Sequence, residues 1–130
     1  MKPADQVMQS YGRCCASADF FDDFYTRFLA SSPLIREKFV NTNMQAQKQL
    51  LRQGIMNLVM VARGMPDTKL RALGETHCRH QMDIRPELYG IWVDTLLATI
   101  SSHDPQCTDE TLKAWRDVLN EGIAVITSHY

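Results

Sequence analysis

The 130-residue sequence carries no excess of either charge: 14 basic and 15 acidic side chains leave a formal net charge of -1. A dedicated nucleic-acid or anionic-membrane binder would have a basic surplus, so neither partner class is expected. Long apolar runs are missing too. The longest uncharged apolar stretch, Gln53 to Ala62, falls far short of the roughly 20 residues that cross a bilayer. The opening MKPADQ also lacks an apolar run of the secretory kind. Cysteine is poorly spaced for a disulfide framework, because Cys14 and Cys15 are adjacent while Cys78 and Cys107 are isolated. Reduced thiols in a cytoplasmic protein are the reading that follows. There is no glycine-rich phosphate loop, no G-x-S-x-G and no H-E-x-x-H. What is present is ordinary for a globular chain, 45% hydrophobic and 22% charged, and long enough for one domain (1–130) with a buried core.

The apolar residues repeat at 3.6 rather than 2, and the punctuation falls at helix ends. A first helix over about Asp5 to Ala16 carries Val7, Tyr11 and Cys14 or Cys15 on one face. Ser17 and Asp19 can cap a second, whose stripe reads Phe20, Phe21, Phe24, Tyr25, Phe28 and Leu29. Pro33 suits the first turn of a short third helix reaching Phe39. Thr42-Asn43-Met44-Gln45 has the pattern of a capping box and opens a long helix ending at Gly64-Met65-Pro66. Asp67 caps a shorter one bearing Leu70, Leu73 and His77. Arg85-Pro86-Glu87 opens another with Tyr89, Val93, Leu96, Leu97 and Ile100, and a final helix shows Leu112, Trp115, Leu119, Gly122, Ile123 and Ile126. The fold class is therefore all-α, six or seven helices in one domain.

A plain helical core would fill these faces with Leu, Ile and Val, so the polar residues embedded in them carry the information. Tyr25, Gln47 and His77 stand out. Each alone is compatible with an ordinary structural role. Together, one imidazole and two hydrogen-bond donors on three helices can converge on the two sides of one pocket. A neutral His is the usual axial ligand of haem iron in oxygen-binding proteins. Tyr and Gln donors across the pocket would favour dioxygen over the less polar CO, each by roughly 1 to 2 kcal/mol.

The chain resembles the bacterial globins of the three-over-three type, the single-domain haemoglobins and the globin part of flavohaemoglobins. The matching residues are Phe24-Tyr25-Thr26-Arg27-Phe28-Leu29, Pro33-Leu34-Ile35-Arg36 leading to Phe39, Gln47 and Leu51, Leu73-Gly74 leading to His77, Pro86-Glu87-Leu88-Tyr89, and Trp115. The resemblance implies a globin fold around non-covalent haem b, with His77 as iron ligand and Phe39 against the porphyrin. It implies Tyr25 and Gln47 as donors to a bound gas, Leu51 as the apolar wall beside it, and Tyr89 as the hydroxyl that orients the imidazole. Phe28, Leu70, Leu73, Ile84, Val93 and Leu97 would complete the lining. The absence of C-x-x-C-H agrees with haem held without a covalent bond.

The sequence departs from the flavohaemoglobin pattern in two places. The stretch from His77 to Tyr89 is about two residues longer, and His80, one turn beyond, competes for the iron; Leu73, one turn before His77, favours His77. Where flavohaemoglobins place a carboxylate beside the ligand histidine, Ser128 stands, and no flavin module is expected after Tyr130. The expected function is thus binding of dioxygen or nitric oxide, suited to sensing, scavenging or redox chemistry. Two alternatives are a haem-free signalling module of globin shape and a haem enzyme consuming nitric oxide or peroxide with a separate reductase. A homodimer is compatible with the sequence, and Lys48, Arg52, Arg79 and Arg85 are candidate propionate partners.

Overall fold

The structure is a computed structural model that describes residues 2–130. Among the described residues there are seven helices: α1 (Pro3–Cys15), α2 (Phe20–Ser31), α3 (Pro33–Lys38), α4 (Met44–Ala62), α5 (Thr68–His77), α6 (Pro86–His103) and α7 (Asp109–Thr127). Their apolar stripes decide how they pack. The α7 stripe of Trp115, Val118, Leu119 and Ile126 is buried against α1, α4, α5 and α6, and α2 lies along α6. Trp115, Phe20 and Phe24 are fully buried, each by its apolar area worth about 1.5–3 kcal/mol against exposure. Cys14 is buried in this core, whereas Cys15, its neighbour on the helix, is exposed.

The helix ends differ from expectation in detail. Asn43, not Thr42, caps α4: its carbonyl accepts the first helical bond from Gln47 N–H, and its Oδ1 accepts from Gln45 and Ala46 N–H at 3.0 and 3.2 Å. Thr42 N–H is taken by Phe39 O, so Thr42 belongs to the preceding turn. Asp19 and Asp67 occupy the expected cap positions, but neither side chain makes a cap bond. Asp67 instead pairs with Arg71 at 2.9 Å, and Ser17 Oγ meets His103 Nδ1 at 2.6 Å. Gly64, at φ +98, closes α4 with paired bonds from Gly64 N–H to Val61 O and from Met65 N–H to Met60 O. A Thr108–Thr111 box caps α7, with Thr in place of the usual Glu or Gln at the third position.

Gly74 is the closest point between α5 and α7. A Cβ there would lie 2.7 Å from the Ile126 carbonyl oxygen and 2.8 Å from His129 Cδ2. Gly74→Ala gains at most about 1 kcal/mol of helix propensity, but it pushes against a backbone atom that cannot rotate away. The variant should lose about 1–3 kcal/mol in denaturant unfolding. An unchanged midpoint would mean that α5 can slide on α7.

Candidate functional site

α4 and α5 are each held against α7, and α6 against α2 and α7, but α6 has no substantial contact with α4 or α5. Little helix packing closes the space between α4, α5 and α6, the candidate cleft. Around it the apolar side chains Phe39, Leu73 and Ile84 stay only half-buried, an arrangement that water alone would disfavour. Tyr25 and Phe28 come from α2, Phe39 from the residue capping α3, Gln47 and Leu51 from α4, Leu73 and His77 from α5, Ile84 from the following loop, and Tyr89, Val93 and Leu97 from α6. Leu70 is buried deeper in the core, where α5 meets α7.

On the α2–α4 side, Tyr25 is buried and packs edge-on to Phe39 at 6.0 Å between ring centroids. Phe28 meets the same ring at 6.1 Å. The Tyr25 hydroxyl donates to the Gln47 backbone carbonyl at 3.4 Å. Burial pushes its pKa up to about 12, with the adjacent Gln47 amide acting in the opposite sense, so the phenol remains a protonated donor across the ordinary pH range. Leu51, one turn along from Gln47, is buried. Lys48 pairs with Asp22 of α2 and so tethers the two helices beside Tyr25.

On the α5–α6 side, His77 is the last residue of α5, and its Nδ1 lies 2.8 Å from the Tyr89 hydroxyl. Burial lowers the His77 pKa and raises that of Tyr89 to about 12, which favours a neutral imidazole beside a neutral phenol. The Nδ1 contact leaves Nε2 as the nitrogen for an outside partner, and Nε2 makes no hydrogen bond among the described residues. His80 is exposed in the turn beyond. Among the described residues no three His, Cys, Asp or Glu side chains are placed to hold a metal ion. The half-buried apolar side chains Phe39, Leu73 and Ile84 have the chemistry that the faces of a planar macrocycle would need.

Not every residue singled out faces this cleft alone. Leu97 is buried where α6 meets α7 and also borders a surface groove with Leu112, Lys113 and Arg116. Two residues that sequence reasoning passed over belong to the neighbourhood of His77: Asp83 in the α5–α6 loop and Tyr130 beyond α7, joined by a hydrogen bond across 47 positions. No local pattern marks such a pair.

With this geometry in view, the comparisons are direct: the family model for globins matches residues 22–126, and the chain belongs to the globin family. Membership implies haem as the bound group and a diatomic gas as its ligand. The chain is similar over 99% of its length, at 66% identity and a TM-score of 0.98, to 98% of a crystallised protein from Pseudomonas aeruginosa PAO1 described as structurally highly homologous to a human haemoglobin. No curated protein matches it. No helix among the described residues is long and apolar enough to cross a membrane.

Proposed function

We propose that the protein holds haem b non-covalently through His77 Nε2 and binds dioxygen, with nitric oxide as a second ligand. One observation supports this reading: among the described residues the His77 ring has a single hydrogen bond, from Nδ1 to Tyr89, which leaves Nε2 without one. When bound, haem supplies an iron with an open coordination position for a diatomic gas. Phe39, Leu73, Ile84 and Val93 would hold its faces, and Lys48, Arg52, Arg79 and Arg85 are the candidate cations for its carboxylates.

The residues opposite His77 would set the affinity. Tyr25 offers a buried O–H donor, parked on the Gln47 carbonyl at a long 3.4 Å and free to exchange that weak acceptor for a more polar one. Gln47 offers an amide N–H beside it, and Leu51 excludes water. Such donors slow ligand release, which suits sensing, scavenging or redox chemistry more than bulk delivery. The proximal partner favours binding over catalysis. A neutral tyrosine hydroxyl makes the imidazole less electron-donating than a carboxylate would, and Ser128 turns its hydroxyl to Val125 O at 2.6 Å.

Haemin titrated into the purified protein should give a saturable Soret band at one equivalent. Tyr25→Phe should then speed dioxygen dissociation about five- to thirtyfold in stopped-flow measurements, with CO release nearly unchanged. Equal dioxygen rates in the two proteins would overturn the assigned role of Tyr25.

A further inference from the structure

We propose that Tyr130 is a positioning residue for His77, acting through Asp83 to hold the α5–α6 loop; this rests on the reading of His77 as the ligand. Asp83 is the sole non-glycine residue with positive φ among the described residues, at +50°, a conformation that must be held by its surroundings. The Tyr130 hydroxyl donates to Asp83 Oδ1 at 2.5 Å, and the Arg79 guanidinium lies 4.8 Å over the Tyr130 ring. Tyr130 thus grips both halves of the loop at once. Its own backbone is fixed by a bond from Tyr130 N–H to Thr127 O, and the preceding His129 ring is wedged beneath Gly74 of α5.

The connection to His77 runs through the main chain. Asp83 N–H donates to Cys78 O at 2.9 Å, and Ile84 N–H donates to the carbonyl of His77 itself at 3.0 Å. Asp83 is therefore one residue from the amide that fixes His77's backbone, while Tyr89 fixes its ring. With the carboxylate released, the left-handed residue is left to main-chain bonds alone, and the Ile84 bond is the first that relaxation would lengthen. The two contacts on His77 come from Ile84, at the end of the loop, and from Tyr89 on α6, so slack in the loop translates into rotation of the imidazole about its Tyr89 bond. Residues 129 and 130 lie beyond the span matched by the globin family model.

Tyr130→Phe removes the hydroxyl and keeps the ring under Arg79. Hydrogen exchange in the haem-free protein, which does not depend on the ligand assignment, should show the Asp83 and Ile84 amides exchanging about three- to tenfold faster, with α2 and α6 unchanged. In the haem-loaded ferrous protein the iron–histidine stretching band should shift or broaden. Asp83→Asn keeps an acceptor and tolerates the left-handed conformation, so it should stay within about twofold of the parent. Asp83→Ala should match or exceed Tyr130→Phe, and combining the two should add nothing. Unchanged loop exchange, an equal rise throughout the molecule, additive effects, or a loosened loop with an unaltered iron–histidine band would each overturn the proposal.

Discussion

Replacing His77 with glycine should weaken haem binding by at least about 100-fold and abolish the five-coordinate ferrous spectrum, with millimolar imidazole restoring it. The magnitude follows from loss of the proposed protein ligand, since even residues that only orient a metal ligand are worth about 10- to 100-fold. Rescue by free imidazole separates a ligand from a structural histidine. An exogenous ring can replace a bond to iron, but it cannot repair a helix end. Because His77 is the terminal residue of α5, glycine there leaves the preceding turns intact. Retention of the parent spectrum by His77→Gly would move the assignment to His80, the exposed histidine of the next turn.

The second large effect lies away from the cleft. Asp104 is fully buried at its side chain and gathers Arg13 Nε at 2.5 Å, Ser10 Oγ at 2.7 Å and Gln106 N–H at 2.9 Å. Ser10 in turn accepts from Trp115 Nε1 at 2.9 Å. One carboxylate therefore ties α1, the α6–α7 turn and α7 together. Asp104→Ala should cost about 3–5 kcal/mol, because it strands Ser10, Trp115 and the Arg13 guanidinium in a site built around a negative charge. Asp104→Asn, which keeps an acceptor oxygen, should cost less.

The pH dependence has a definite sign. Burial alone would raise the Asp104 pKa, but the bonds from Arg13, Ser10 and Gln106 outweigh it and leave the carboxyl below its ordinary value. A carboxyl with a depressed folded pKa stabilises fully above its unfolded pKa of about 4, and that stability fades as pH falls through the folded value. The difference in unfolding free energy between parent and Asp104→Ala should be flat from about pH 5 to 8 and narrow below about pH 4. A gap that widened on acidification would contradict the charged network.

Much of this was legible in the sequence because helices announce themselves locally. The 3.6 spacing of Phe20, Phe24 and Phe28, the proline at 33 and the proline at 86 placed α2, α3 and α6 without any knowledge of their neighbours. The caps were less legible. Thr42 and Asn43 are both good capping residues, and which one leads depends on whether Phe39 O takes the Thr42 amide, a choice set by how α3 ends. The pairing of His77 with Tyr89 came into view only through the resemblance to globins, since twelve residues separate the two and no helical register links them.

The sequence by itself determined that the chain is helical, that its core is aromatic on α2 and mainly aliphatic on α6 and α7, and that Tyr25, Gln47 and His77 sit where apolar residues were due. These are properties of spacing, and spacing survives without tertiary contact. Only the tertiary structure decided which of His77 and His80 turns inward, that the Tyr25 hydroxyl rests on a backbone carbonyl rather than a side chain, and that Asp83 is held by Tyr130 from 47 residues away. The physical reason is range. A hydrogen bond acts over about 3 Å, and the partners that fall within it are chosen by how whole helices pack, not by which residues are neighbours in the chain.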